Sequence, residues 1–202
     1  MNKQGFGYTV VFTFVVAFIF VALLAGANAM TVEQVRFNQQ IRRQRAILTA
    51  MNIPYDTEEQ VAEIFDMVEE LESNGVTLLQ LEFEGDTRYA KEVSGSGVWG
   101  TIRAVLGVQG NGERLLGLEI LEHNETPGLG GRIDEDWFTR QFREKLIING
   151  SIQFNEQPGE GDFDPDSGRV DRITGATGTS TSMRRIINNS LEELLPVLGG
   201  EQ

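Results

Sequence analysis

The sequence has no cysteine among its 202 residues and a single histidine, His123. Without thiols the chain forms neither disulfides nor thiolate-bound zinc or iron–sulfur sites, and a cysteine nucleophile is excluded as well. One histidine is too few for a histidine-rich metal site within one chain. Basic residues are also scarce, because 17 Lys and Arg stand against 30 Asp and Glu and give a net charge of -13. So acidic a chain is a poor candidate for binding nucleic acid or an anionic membrane surface.

No charged residue lies between Lys3 and Glu33, and residues 8–27 are rich in Val, Phe, Leu and Ala. About 20 apolar residues in a helix cross the ~30 Å hydrocarbon core of a bilayer. We therefore predict an N-terminal membrane anchor over residues 1–29, with a transmembrane helix at about 8–27. The alternative is a cleaved signal peptide with Ala27-Asn28-Ala29 as its cleavage site, but the apolar run is longer than a typical signal core.

Two features of the sequence disagree about the orientation of this anchor. Four arginines follow it, and by the positive-inside rule they favour a cytoplasmic body: Arg36, Arg42, Arg43 and Arg45. The signal-like amino terminus favours export of the body. We expect export.

A helical linker is predicted over residues 30–75. Its first helix covers about 31–51, where Thr31 is a candidate cap. Residues 57–60 form a capping-box pattern, T-E-E-Q, and apolar residues at helical spacing follow as far as Leu71.

The remaining residues, 76–202, are predicted to form one α+β domain with an antiparallel sheet flanked by helices. Residues 99–108 alternate like a strand, Gly110-Asn111-Gly112 is typical of a hairpin turn, and a second strand returns. The residues expected to face the core from these two strands are Ile102, Ala104, Leu106, Val108, Leu116, Leu118 and Ile120. We further expect a helix over residues 134–146, a loop over 155–169 and a final helix that stops before Pro196.

The most informative segment is 171–177, which reads D-x-x-T-G-A-T and precedes a helical pattern of apolar residues. Its glycine and alanine leave the backbone uncovered, so a ligand can approach closely. The free N–H groups and partial positive charge of a helix N-terminus suit a phosphate. A Ser or Thr side chain can equally cap such a helix without any ligand, and the pattern alone leaves both interpretations open.

Two glycine-rich segments lie upstream. Residues 95–100 match G-x-G-x-x-G, but β-like residues follow where a dinucleotide site needs a helix, so we predict a tight turn there. Residues 123–131 read H-N-E-T-P-G-L-G-G and predict a turn after a strand, with amides and Leu129 available to a flat ring. We expect a structural hydrogen bond from His123 rather than a metal site.

The acidic segment 162–168 reads D-F-D-P-D-S-G and resembles the opening of a calcium loop. The EF-hand pattern needs Gly directly after the third acid and Glu at its twelfth position, where this sequence has Ser167 and Ile173. We therefore predict a solvated acidic loop without a metal.

Three of these segments, G-x-W-G at 97–100, E-T-P-G-L-G at 125–130 and D-x-x-T-G-A-T at 171–177, together resemble the FMN-binding domain family. That family includes flavin subunits of Na+-translocating NADH:quinone reductases and of Rnf electron-transport complexes. The resemblance implies that Thr177 carries FMN through a phosphoester bond made by a separate flavin transferase. It also implies a set of residues around the cofactor: Trp99, Glu125, Thr126, Gly128, Leu129, Asp171, Thr174, Gly175, Ala176 and Gly178.

The resemblance implies a redox-carrier subunit rather than a complete enzyme. Such a chain would sit in a cell inner membrane by a single span, with its flavin domain on the periplasmic side and other subunits as partners. The segment 42–48 looks somewhat closer to the reductase subunit than to the Rnf subunit. Two alternatives remain at this point: a free-standing exported FMN carrier, and an exported binding module without redox chemistry.

Overall fold

The structure, a computed structural model, describes residues 5–73 and 75–198. Lys3 and Asn74, which the sequence patterns above include, lie outside the described residues. The chain forms two compact units, which meet in the sequence between Gln40 and Ile41.

The first unit consists of most of helix α1, Phe6–Ala50, and the last ten residues of that helix belong to the second unit. By length and composition α1 is able to cross a membrane, as expected for residues 8–27. The prediction that Thr31 caps a separate helix is wrong. Its hydroxyl donates to the carbonyl oxygen of Ala27 at 3.1 Å, one turn earlier in the same continuous helix.

The second unit is built on a six-stranded antiparallel meander, in which each strand pairs with the next one in sequence. Its strands are β1 Glu69–Ser73, β2 Val76–Phe83, β3 Asp86–Ser96, β4 Thr101–Gln109, β5 Arg114–Glu122 and β6 Lys145–Leu146. A separate parallel pair is formed by β7 Gln153–Pro158 and β8 Arg169–Arg172. The helices of this unit are the end of α1, α2 Glu58–Phe65, the short α3 Asp136–Thr139 and α4 Thr177–Leu198, with 3-10 turns at Gly130–Asp134 and Arg140–Phe142.

Both faces of the sheet are covered, and each carries a hydrophobic core. On one face α4 packs its buried residues Met183, Ile187 and Leu191 against the inward residues of β4 and β5. On the other face, Ile47 and Leu48 of α1 join buried residues of β2 and β4. This arrangement confirms the predicted α+β fold with an antiparallel sheet flanked by helices. It also shows that part of the segment predicted to be a linker contributes to the core.

Glycine allows α1 to end directly on the sheet. A Cβ on Gly107 of β4 would overlap the backbone carbonyl of Ala50, and a Cβ on Gly117 of β5 would lie 2.9 Å from the same oxygen. The absence of side chains at these two neighbouring positions therefore lets the helix backbone contact the strands.

The second predicted helix is shorter than its apolar pattern indicated. Thr57 caps α2 by accepting from the N–H of Gln60, but the helix ends at Phe65. Leu71 lies in β1 instead, opposite Leu78 of β2. Pairing with a neighbouring strand has overridden the helical spacing of these apolar residues.

The hairpin of β4 and β5 confirms the prediction for residues 101–122, with one exception. Gly112 takes φ +71 in the turn, and the alternating residues of β4 are buried as expected. On β5, however, Leu115 rather than Leu116 shares the core with Leu118. A β-bulge between the pairs Gly107–Gly117 and Val108–Leu115 shifts the alternation by one residue.

Three other local predictions are wrong. In place of a helix over residues 134–146, residues 136–142 form the single turn of α3 and a 3-10 turn; Glu144 then adopts a left-handed φ of +52, which no helix continues through, and the chain enters β6. Residues 155–158 belong to β7 rather than to a loop. Helix α4 continues to Leu198 and contains Pro196 in its last turn.

Candidate functional site

The N-terminus of α4 lies at the end of the D-x-x-T-G-A-T segment. Gly175 adopts φ +77, and the carbonyl of Ala176 accepts the first helical hydrogen bond, from Ser180 N–H at 3.0 Å. Ala176 is thus the N-cap, and it has no side-chain oxygen with which to cap the helix. Nothing in residues 5–73 and 75–198 accepts a hydrogen bond from the backbone N–H groups of Thr177, Gly178 or Thr179. The first turn therefore offers unpaired donors to an anion.

The hydroxyl groups of this region divide into buried and exposed sets. Thr179, Ser180 and Ser182 are buried, and the Ser180 hydroxyl accepts from the N–H of Ile173 at 3.1 Å. The other three hydroxyl residues are exposed: Thr174, Thr177 and Thr181. Of these three, only Thr177 lies in the first turn of α4, beside the unpaired N–H groups.

Glu125 connects the three glycine-rich segments. Only 4% of its surface is exposed. Its Oε1 accepts from the backbone N–H groups of Val98 (2.8 Å) and Trp99 (3.0 Å), while its Oε2 accepts from the hydroxyl of Thr179 (2.5 Å). One carboxylate thereby holds the turn after β3, the segment after β5 and the first turn of α4 together.

The charge of Glu125 is stabilised in this position. Burial raises its pKa, but the hydrogen bonds from Thr179, Trp99 and Val98 outweigh burial, so the pKa lies below its ordinary value. Two glycines beside this carboxylate make room for it. A Cβ on Gly97 would overlap the carboxylate, and a Cβ on Gly130 would overlap both the carboxylate and the Thr179 hydroxyl. Glu125 is a buried negative charge with a positioning role.

Apolar side chains at the N-terminus of α4 are exposed. Val98 is 52%, Trp99 71% and Leu129 47% exposed. A Cβ on Gly178 would lie 2.9 Å from Val98 Cγ2, and one on Gly175 would lie 3.3 Å from Leu129 Cδ2. Val98 and Leu129 therefore flank the start of the helix, and only glycine on the helix side permits their close approach.

The segment 126–131 is a compact turn, as predicted. The carbonyl of Thr126 accepts from the N–H groups of Leu129 (3.1 Å) and Gly131 (2.9 Å), and Gly128 takes φ +72. Thr126 and Gly128 are both exposed. His123 supports this turn by accepting from the Glu125 N–H at Nδ1 (3.1 Å), while its Nε2 lies 3.3 Å from Asp134 Oδ2. The expected structural hydrogen bond of His123 is confirmed.

Asp171 lies in β8, and its carboxylate is bound within the protein. Oδ1 accepts from the side-chain amide of Asn155 (2.7 Å), and Oδ2 accepts from the N–H of Gly161 (3.0 Å). The buried amide of Gln141 accepts from the N–H groups of Asp171 (2.6 Å) and Asp162 (2.8 Å). Asp171 thus fixes the path of the loop after β7, whereas Thr174 of the same motif is exposed.

The arrangement is an uncapped helix N-terminus beside an exposed apolar patch, a combination that fits a ligand with one phosphate and one flat apolar ring. Comparison with known proteins agrees, because residues 97–192 match the FMN-binding domain family. This match covers just under half of the chain. All three glycine-rich segments of the site fall within or at the edge of the matched range.

Two relatives show the range of proteins that contain such a domain. A subunit of the Na(+)-translocating NADH-quinone reductase of Pseudomonas aeruginosa is 30% identical over 100 residues, which cover 48% of this chain and 38% of that protein. A subunit of the ion-translocating oxidoreductase complex of Vibrio vulnificus is 33% identical over 105 residues, which cover 50% of this chain and 46% of that protein. The chain thus matches less than half the length of either relative.

A solved structure supports the fold. The crystal structure of a Na(+)-translocating NADH-quinone reductase subunit from Parabacteroides distasonis superposes with a TM-score of 0.66, covering 82% of this chain and 95% of that chain. The two sequences are 19% identical over this match. Over the superposed residues this chain therefore has the same fold as that protein.

The acidic loop of the FMN-binding domain differs from the sequence prediction. Lys145 is fully buried, and its ammonium group donates to the carbonyls of Asp162 (2.8 Å) and Asp164 (2.6 Å) and to the Ser167 hydroxyl (3.2 Å). Asp162 Oδ1 lies 3.3 Å from the same nitrogen. The loop is not simply solvated, because it folds around an internal cation. Burial lowers the pKa of Lys145 and outweighs the opposing effect of Asp162.

Sequence reasoning missed Lys145 and Gln141, which organise the loops beside the candidate site, and Val98, which flanks α4. Lys145 shows one weak signal, since an isolated lysine precedes the apolar residues Leu146, Ile147 and Ile148. Buried lysines are rare, so such a position is normally assigned to the surface.

Proposed function

We propose that the chain is a membrane-anchored electron-transfer flavoprotein in which FMN is attached covalently to Thr177 by a phosphoester bond. The observation that carries this proposal is the uncapped start of α4, where the exposed Thr177 lies beside N–H groups that have no partner in the described protein. A phosphate ester at Thr177 would place its oxygens at these donors and in the favourable field of the helix.

The surrounding residues suit the rest of the cofactor. The exposed side chains of Val98, Trp99 and Leu129 offer an apolar surface for the flavin ring, and the turn at 126–131 offers backbone polar groups for its edge. Bound FMN supplies one- and two-electron transfer, while the protein supplies orientation and electrostatics. Glu125 contributes by fixing the positions of the three segments relative to one another.

Covalent attachment at Thr177 is supported by the distribution of hydroxyl groups. The hydroxyl of Thr179 donates to Glu125, and Ser180 accepts from Ile173, so both are engaged in buried contacts. Thr177 is exposed and accessible to a separate flavin transferase. The alternative of a binding module without redox chemistry rested on a side-chain helix cap, and Ala176 occupies that position.

Intact mass spectrometry of the full chain, produced together with a flavin transferase, tests the covalent bond. We expect a mass increase of FMN minus water in the natural sequence and in Thr181→Ala, and no increase in Thr177→Ala. Absence of the increase in the natural sequence under these conditions would refute the proposal.

We further propose that the chain is a subunit of an ion-translocating NADH:quinone or Rnf-type oxidoreductase complex in a cell inner membrane. Both named relatives belong to such assemblies, and α1 is long and apolar enough for a single span. In this proposal the flavin domain lies on the periplasmic side. Protease added to intact spheroplasts should then cleave the flavin domain, whereas protection until the membrane is opened would reverse the orientation.

A further inference from the structure

A second cleft lies apart from the apolar patch and is lined largely by β7, β8 and one residue of α4. Its volume is about 690 Å³, and the basic residues in its lining are Arg169, Arg172 and Arg184. This volume lies within the range of small-molecule sites, about 300–1,000 Å³. Three arginines around one cleft are unexpected in a chain with a net charge of -13.

These arginines are not neutralised by ion pairs with the protein. Within residues 5–73 and 75–198, none of the three forms a salt bridge of 4.0 Å or less. Two acids also line the cleft, Glu156 and Asp171. The Asp171 carboxylate is engaged by Asn155 and Gly161, and Glu156 is exposed.

Arg172 has an unpaired donor as well. Its Nε is shielded from water and has no hydrogen-bond partner among the described residues. Because this atom is shielded from solvent, a ligand in the open cleft does not reach it, and what Arg172 presents to the cleft is the positive charge of its guanidinium group. Guanidinium groups pair bidentately with phosphate oxygens, which makes phosphate the anion best matched to a cluster of arginines.

We propose that this cleft binds a phosphate-bearing small molecule, with Arg169, Arg172 and Arg184 contacting its phosphate. Pro158 of the lining is exposed and supplies apolar surface for the remainder of the ligand. The inference does not require FMN to be covalently bound. Two chemically equivalent sources can supply the phosphate. One is the phosphate of FMN itself, and the other is a separate phosphorylated molecule.

The position of Arg184 explains why both sources must be tested. Thr177, Thr181 and Arg184 are spaced by four and three residues, so they lie along one face of α4. At 1.5 Å per residue, Arg184 lies about 10 Å along the helix from Thr177. A ligand in the cleft is therefore a close neighbour of the proposed flavin attachment.

The test uses the full chain in detergent carrying Thr177→Ala, titrated by calorimetry with inorganic phosphate, AMP and, as an uncharged probe, adenosine. We expect saturable binding of phosphate and AMP but not of adenosine. Arg169→Gln and Arg184→Gln change exposed side chains, and each should weaken binding by about tenfold or more. Arg103→Gln, an exposed arginine of β4 that pairs with Glu92 and Glu122, is the matched control and should bind normally.

Absence of saturable phosphate binding, or equal binding by the two cleft variants and the control, would overturn the inference. The same titration of the flavinylated protein separates the two sources. Loss of binding after flavinylation shows that the attached FMN occupies or covers the cleft, and unchanged binding identifies a separate ligand. The covalent attachment of FMN is tested separately, by mass spectrometry. Failure of the phosphate-binding proposal therefore leaves the covalent proposal testable, and the reverse also holds.

Discussion

Replacing Glu125 by alanine is expected to destabilise the FMN-binding domain because three donors lose a shared acceptor. These donors are the N–H groups of Val98 and Trp99 and the hydroxyl of Thr179, at 2.8, 3.0 and 2.5 Å from the carboxylate. Leaving a buried donor unpaired costs about 1–3 kcal/mol, and the two amides, whose hydrogen bonds are only partly buried, cost less than the buried hydroxyl. Since removal of the carboxylate also relieves its own desolvation, we expect a net loss of about 2–4 kcal/mol in the free energy of unfolding.

Glu125→Gln separates the charge from the shape of the side chain. Its remaining carbonyl oxygen can still accept from both amides, and its NH2 group can donate to Thr179, so we expect a loss of only about 1–2 kcal/mol. The difference in stability between the Glu125→Gln variant and the natural protein should depend on pH. Because folding lowers the pKa of Glu125, its charged form contributes stability above the ordinary value of 4.5. That contribution is lost as the pH falls through the folded-state pKa.

Urea unfolding of the unflavinylated chain in detergent, followed by tryptophan fluorescence, measures both effects. The natural protein should be more stable than Glu125→Gln at about pH 7, and the difference should shrink as the pH is lowered. A double-mutant cycle with Thr179→Val isolates the contact to the helix. A pH-independent difference, or an alanine variant as stable as the natural protein, would refute the positioning role of the carboxylate.

Two further predictions concern the scaffold around the site. Lys145→Met keeps the volume of a fully buried side chain but removes its ammonium group, which holds the acidic loop. The free energy of unfolding in urea should therefore fall by about 3–5 kcal/mol, and an unchanged value would contradict the role of Lys145 as an internal cation. Gly107→Ala places a Cβ against the Ala50 carbonyl and should cost at least about 2 kcal/mol, measured in the same way. Gly26→Ala, where a Cβ meets no atom within 4 Å, is its control and should not destabilise the chain.

The sequence predicted those parts of the fold whose patterns are short-range. The β4–β5 hairpin was predictable because alternation and the glycine turn at 110–112 agree with each other. The β-bulge within it was not, since one inserted residue leaves no mark on composition and decides whether Leu115 or Leu116 faces the core. Similarly, Phe138 and Phe142 are buried as their helical spacing indicated, yet the helix itself is only one turn long.

The sequence predicted which segments form the candidate site, but it did not predict which residue joins them. The three glycine-rich segments do meet at the start of α4, but no sequence pattern indicates that Glu125 is the residue that joins them. The acidic loop was misjudged for a related reason. Its resemblance to a calcium loop is physically meaningful, because the loop does surround a cation, but that cation is Lys145, which lies 17 residues before Asp162 in the sequence. Contacts of this long range leave no periodic signal.

The central claim is that a single oxygen atom, the Oγ of Thr177, carries the cofactor. Proteolytic digestion of the flavinylated full chain, followed by fragmentation of the peptide that contains residues 173–184, locates the added mass directly. We predict that the mass of FMN minus water lies on Thr177, that Thr177→Ser retains it, and that the neighbouring hydroxyls are unmodified. Finding the mass on Thr174, Thr179 or Thr181, or finding only dissociable FMN, would contradict the account.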